Sequence, residues 1–489
     1  MSQSESYAEK DSEKNIQQIE AMNANQGAIR EDEDLGISDA EGRKIIHKID
    51  RRLISALGLM FGISLMDRTN LGSANIAGMS KELHLAIGSR YSIIIIMFFV
   101  PYLIFQWPCA VLARKIGPRI FLPAVTAAWG IVMLGMGFVH HWGELVALRA
   151  VVGLFEAGLL PGALFLLQMW YCRYDVHKRY ASFYLISIVG ASLSGVLSYG
   201  FMQMAGVGGY AGWRYIFIWE GVLTCIIAII GAILIVDFPQ KAQNSRKFLE
   251  PRELEYVIKL LERDRNDALE EPFGFSAFFK AGLDLKIWLF GLIFFASTVI
   301  SYGIALFLPI ILNRKMGFSV GISQLMITPP YFFAAIFMYI EGWLGDKYRV
   351  RGPIVVFNAL LGICGLCLMA WTKPAGTQYL GIFLIAATSN STIPTVMAYQ
   401  ANNVRGTWKR ASSSAILVTM GAAGGIVGAL VFRSQDAPQY LPGIYASIAC
   451  CVLQVVIVGF LSLQFIRMNK KVALGEAVIE GLPGFQYTL

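Results

Sequence analysis

The sequence predicts an all-α polytopic membrane protein with twelve transmembrane helices arranged as two six-helix halves. Three observations carry that prediction. The 489 residues are 56% hydrophobic and only 15% charged, where soluble globular chains carry about 25% charge. Twelve apolar stretches are long enough for a bilayer core of about 30 Å, which takes roughly 20 residues in a helix. The basic residues, 41 against 33 acids for a net charge of +8, collect between those stretches on alternate sides. The deficit of charge excludes most soluble enzymes, and seven cysteines are too few for a secreted disulfide scaffold.

Residues 1–52 read as a polar N-terminal segment with an acidic run from Glu31 to Asp34, expected to be cytoplasmic and largely disordered. The first apolar stretch, 53–79, has no small-residue cleavage site and reads as a span, not a removed signal peptide. Further spans follow at 91–113, 119–139, 145–168, 180–205 and 214–236, completing an N-terminal half over 53–236. Residues 237–285 form a long polar interruption, a cytoplasmic central loop with charged helix-like material from Glu250 to Arg265. The C-terminal half, 286–466, holds spans at 286–310, 321–344, 353–371, 378–399, 411–432 and 442–466, and 467–489 is a cytoplasmic tail.

Alternating the loops from a cytoplasmic N-terminus puts 32 of the 41 basic residues on that side and seven on the other, with Arg68 and Arg149 left inside spans. An even number of spans with this bias places both termini in the cytoplasm. The basic excess is therefore topological and gives no support to a nucleic-acid partner. Parallel six-span halves suit a carrier whose substrate path lies between them.

The loop residues make a resemblance specific. Gly342-Trp343-Leu344-Gly345-Asp346-Lys347-Tyr348-Arg349-Val350-Arg351 resembles the G-x-x-x-D-R-x-G-R-R loop of the major facilitator superfamily. The matching loop of the first half, Ala110 to Arg119, keeps Arg114, Lys115 and Gly117 but lacks the acid. Such loops latch one packing of the halves, which marks Asp346, Arg349 and Arg114 as gating candidates; Arg114 and Lys115 are equally accounted for as positive-inside anchors. Asp67-Arg68-Thr69-Asn70-Leu71-Gly72, Arg149 through Glu156-Ala157-Gly158 to Pro161-Gly162, and Gly212-Trp213-Arg214 through Glu220-Gly221 are similar to the anion:cation symporter family. Asn402-Asn403 with Lys409-Arg410, Asp436-Ala437-Pro438, and the terminal Phe485-Gln486-Tyr487 resemble its fungal allantoate, nicotinate and pantothenate permease branch. Gln106, Ala422 and Gln486 depart from that pattern, and the loss of an Asn at 422 removes a polar contact that relatives have in the cavity.

An ionised side chain at mid-bilayer must be paired, face a water-filled cavity or change protonation. Asp67 and Glu156 fall near the centres of spans 1 and 4, hence at one depth. Arg149 precedes Glu156 by two helical turns, on the same face and roughly 10 Å away along the axis. Arg68 is the expected substrate carboxylate ligand, because a guanidinium fork matches a carboxylate bidentately. Asp67 and Glu156 are the expected proton carriers, with Arg149 tuning Glu156, and the resemblance implies the same four positions. A static ion-pair network is the competing account of these charges.

Arg149, Tyr302 and Asn390 are further substrate-binding candidates, in spans 4, 7 and 10. Cys364-x-x-Cys367 lies in an apolar span with no zinc or redox partner and reads as packing. The expected function is proton-coupled symport of a small organic carboxylate, nicotinate-type first, driven by the proton gradient with no cofactor. Its partners are the anion, protons and the lipid bilayer, in a plasma membrane, with the monomer as the working unit. An exporter of the same fold is the alternative, though span 5 lacks the proline of a G-P-x-x-G antiporter element. No Ser/His/Asp, Cys/His or metal-ligand cluster supports an enzyme.

Overall fold

A computed structural model describes residues 37–171, 173–239, 242, 248–265, 284–348, 350–404, 407–433, 436–437, 439–479 and 485–489. In chain order the helices are α1 (Asp39–Ala74), α2 (Ser80–Glu82), α3 (Arg90–Ile116), α4 (Pro118–Met136), α5 (Trp142–Glu156), α6 (Leu159–Trp170), α7 (Arg173–Ser192), α8 (Ser194–Met202) and α9 (Gly212–Leu234). They continue with α10 (Pro251–Arg265), α11 (Leu285–Arg314), α12 (Val320–Leu325), α13 (Thr328–Tyr348), α14 (Gly352–Trp371), α15 (Ala375–Asn403), α16 (Thr407–Val431) and α17 (Leu441–Ala473). A π-helical turn, Asn75–Met79, joins α1 to α2.

Ten helical runs among the described residues are long and apolar enough to cross a membrane, from Pro118–Met136 to Leu441–Ala473. They coincide with ten of the twelve expected stretches. The other two fall on α1 and α3. The apolar part of α3, Arg90–Gln106, is shorter, and α1 carries Asp67 and Arg68 in its apolar portion. The protein is thus an all-α, multi-pass membrane protein.

The start of α1 differs from the expected edge at 53. Ser38 and Glu41 form a capping box, in which the Ser38 hydroxyl accepts from the Glu41 N–H and Glu41 reaches back to the Ser38 N–H. The added turns are amphipathic. Ile45, Ile49 and Leu53 are buried, while Lys48 bridges to Glu253 on α10 at 2.9 Å and Asp50 to Arg179 on α7 at 3.2 Å. Arg52 donates to the carbonyls of Leu234 and Ile233, satisfying the open end of α9.

Within the first part of the chain α1 packs on α7 and α9, α3 on α5, and α4 on α9. Within the second, α11 packs on α15, α16 and α17, and α14 on α15 and α17. The two groups meet where α1 crosses α11, α3 crosses α16 and α7 crosses α13. Gly72 permits the α1–α11 crossing, since a Cβ there would stand 2.6 Å from the Leu306 carbonyl oxygen. Gly117, at φ 94°, makes the turn that sends the chain from α3 directly into Pro118 at the start of α4.

Candidate functional site

Helix α1 presents two polar faces in its C-terminal third. Successive helical residues are about 100° apart, so Asp67 and Arg68 look toward different neighbours, whereas Ser64 and Arg68, four apart, share a face. On that face Arg68 Nε donates to Glu156 Oε1 at 2.6 Å, and its Nη2 also pairs with the same oxygen. The Ser64 hydroxyl donates to Glu156 Oε1 at 2.5 Å, and Arg68 Nη1 donates to the Tyr302 hydroxyl on α11. The guanidinium lies 4.9 Å from the Tyr102 ring centroid and 5.3 Å from that of Phe98, both on α3, positions that favour a cation.

The other face gathers a second group. Asp67 Oδ2 accepts from Trp129 Nε1 on α4 at 3.1 Å and shares a hydrogen bond of 3.1 Å with the Thr224 hydroxyl on α9. Arg149 on α5 donates from Nη1 to the Asp67 carbonyl at 3.2 Å and from Nη2 to Asn70 Oδ1 at 3.0 Å. Asn70 Nδ2 in turn donates to Glu220 Oε2 on α9 at 2.7 Å, and Ser198 Oγ on α8 donates to Glu220 Oε1 at 3.3 Å. Asp67, Arg68, Arg149, Glu156 and Glu220 are all buried, at 5% exposure or less. Five ionisable side chains are therefore held at membrane depth by hydrogen bonds from four or more helices.

A cavity of about 40 Å³ lies against the first group and is lined by Arg68, Thr69, Tyr184, Tyr302, Tyr331 and Asn390, among others. Three of the four expected substrate ligands meet there: Arg68, Tyr302 and Asn390. Arg149 belongs instead to the Asp67 group. Its hydrogen bonds are to α1, and the acid of Glu156 is taken by Arg68. Asn390 donates its amide to the Ala386 carbonyl one turn back at 2.8 Å, and its residue borders the cavity. A smaller cavity of about 10 Å³ among α11, α14, α15 and α17 borders a polar cluster. Asn358 Nδ2 donates to Glu341 Oε2 at 2.9 Å and to Ser391 Oγ at 3.1 Å, and Gln454 Nε2 donates to Ser297 Oγ at 3.0 Å.

Of the gating candidates, Arg349 lies outside the described residues, and Asp346 and Arg114 are placed by backbone alone, near the C-terminal ends of α13 and α3. Sequence reasoning missed Glu220, Asn70 and Ser64. Glu220 was available as an acid inside the apolar stretch 214–236, a signal passed over when only basic residues are sorted against the membrane. Asn70 and Ser64 carried the helical spacing from Asp67 and Arg68 but no charge to draw attention.

What the arrangement can do chemically follows from Arg68. Its fork faces a cavity, is flanked by aromatic rings and is held by one carboxylate, so an incoming carboxylate competes with Glu156 for the same two N–H directions. The chain matches the Major Facilitator Superfamily over residues 57–429. It is 31% identical over 458 residues to the major facilitator-type transporter hxnP of Emericella nidulans, covering 91% of this chain and 90% of that one. It is 26% identical over 430 residues to the high-affinity nicotinic acid transporter of Saccharomyces cerevisiae, covering 88% of this chain and 79% of the relative. Among solved structures, the proton:xylose symporter XylE bound to 6-bromo-6-deoxy-D-glucose superposes with a TM-score of 0.67 at 16% identity, over 86% of this chain and 95% of the other.

Proposed function

The chain belongs to the Major Facilitator Superfamily and is a secondary active transporter of a small organic solute, not an enzyme; from that premise we propose that it is a proton-coupled symporter of a small organic carboxylate. The observation that carries the reading is the Arg68–Glu156 pair at the edge of the central cavity. A substrate carboxylate takes the Arg68 fork. Glu156 then loses its counter-ion, and an ionised carboxylate without a partner at that depth is costly. Glu156 takes a proton, the loaded site is neutral, and proton and anion cross together.

The rest of the proposal follows from the same body. Twelve spans form two six-helix halves, 53–236 and 286–466, which rock about the central site, with both termini cytoplasmic in a plasma membrane and each chain working alone. Asp346, Arg349 and Arg114 latch the halves. The 40 Å³ cavity is far below the roughly 300 Å³ of a small-molecule pocket, so the helices must part to admit an anion. Nicotinate is the first substrate to test. The nicotinic acid transporter among the relatives supports it, and the rings of Phe98, Tyr102 and Tyr302 around Arg68 suit a flat aromatic acid.

Uptake of labelled nicotinate, pantothenate, allantoate and a tartrate-type acid into permease-deficient yeast, with and without a protonophore, tests the reading. Protonophore-sensitive accumulation of one of them is expected. Accumulation indifferent to the pH gradient, or net efflux under inward gradients, would overturn it.

A further inference from the structure

The buried cluster contains three carboxylates, Asp67, Glu156 and Glu220, against two guanidiniums, Arg68 and Arg149. Arg68 is committed to Glu156. Arg149 is therefore the guanidinium left to balance the other two acids: it donates to the main-chain carbonyl of Asp67 and to Asn70 Oδ1, and the Asn70 amide nitrogen donates to the Glu220 carboxylate. With both acids ionised this group carries one uncompensated negative charge at membrane depth, which is unfavourable. One proton removes it.

The hydrogen-bond inventory points the same way. The Thr224 oxygen stands 3.1 Å from Asp67 Oδ2 and 2.8 Å from the Glu220 carbonyl oxygen. A hydroxyl carries a single proton, so it can donate to only one of these acceptors. Both contacts are hydrogen bonds at once when Asp67 is protonated and donates to Thr224. When Asp67 is ionised, Thr224 must turn to it and release the carbonyl. Glu220 meanwhile accepts from Asn70 and Ser198. The groups facing the pair are Trp129 from α4, Arg149 and Glu156 from α5, Ser198 from α8 and Cys225 from α9, with Tyr91 from α3 beside Arg149.

We propose that Asp67 and Glu220 form a coupled site that holds one proton between them, resident in the unloaded carrier, with Thr224 on the Asp67 carboxyl, Asn70 on the Glu220 carboxyl and Arg149 joined to both residues through the Asp67 main chain and Asn70. Its use in transport rests on the symport reading above; the resident proton does not. If the cluster stays neutral throughout, the unloaded carrier holds one proton here and the loaded carrier holds that proton, a second on Glu156 and the anion. The cycle then moves one proton with one monocarboxylate and no net charge.

Infrared spectroscopy of the purified full-length protein in lipid nanodiscs, without substrate, reads the resident proton as the C=O stretch of a protonated carboxyl. A Glu341→Gln background removes the carboxyl buried among α13, α14 and α15. The band is expected at neutral pH, disappearing on alkalinisation, absent in Glu220→Gln and in Asp67→Asn, and retained in Glu156→Gln. If Gln at 220 prevents folding, Asp67→Asn reads the same proton from the other acid. A band that survives unchanged in Glu220→Gln or Asp67→Asn, or no band at neutral pH, overturns the proposal. Protonophore-insensitive uptake combined with the expected bands would remove symport and leave the shared proton standing; sensitive uptake with unchanged bands does the reverse.

Discussion

The two groups of helices that close on the central cavity are made of different materials. In α1–α9 the buried polar groups at membrane depth include three carboxylates and two guanidiniums. In α11–α17 they are mostly neutral, as Tyr302, Asn390, Asn358, Ser391 and Gln454 illustrate, with Glu341 held by Asn358. The first group can take up and release charge. The second can shape the cavity and donate neutral hydrogen bonds. The hydrogen bond from Arg68 to Tyr302 joins the two groups beside the cavity, so a carboxylate seated on Arg68 alters a contact between them.

The largest effect is expected at Arg68. Arg68→Ala leaves Glu156 buried without a counter-ion, a loss of about 3–5 kcal/mol of stability, and labelled-anion uptake is expected to fall about a hundredfold or more. Arg68→Lys does not restore it, because an ammonium lacks the planar fork. If Arg68→Ala transported at near wild-type rates, the charged group would be structural only. Next comes Asp67→Asn, which removes the resident proton and leaves Glu220 alone to balance Arg149, so uptake is expected to fall while the accumulation that remains stays protonophore-sensitive through Glu156; loss of that sensitivity contradicts Glu156 as the carrier of the moving proton.

On the neutral side the effects should be smaller and of another kind. Tyr302→Phe removes one hydrogen bond to a charged group, worth about 1.5–3 kcal/mol at most, so KM is expected to rise roughly tenfold with the proton dependence intact. Asn358→Ala leaves Glu341 Oε2 without its donor and is expected to cost about 1–3 kcal/mol of stability, read as a lower melting temperature, again with coupling unchanged. A loss of coupling in either variant would erase the division between the two groups.

How much of this could be read from the chain depends on which physical signal each feature leaves. Apolar length marks the long helices, as Leu285–Arg314 and Leu441–Ala473 show. The turns of α1 ahead of residue 53 escape, because Ile45 and Ile49 are buried on one face of an otherwise polar helix and a hydropathy window averages the faces away. Depth could be reasoned for Asp67 and Glu156, and both sit in the cluster. Which arginine meets which acid could not, since spacing along α5 puts Arg149 on the face of Glu156 without saying how α1 is rotated against it. The rotation gives Glu156 to Arg68, and Arg149 to Asp67 and Asn70.

The central claim is that an anion on Arg68 frees Glu156 to take a proton. Proton uptake by the purified transporter on nicotinate binding, followed with a pH indicator in weak buffer, tests it most directly. The account predicts about one proton taken per anion bound by the wild type and none by a Glu156→Gln variant that still binds. Binding without proton uptake in the wild type, or equal uptake in Glu156→Gln, would contradict it.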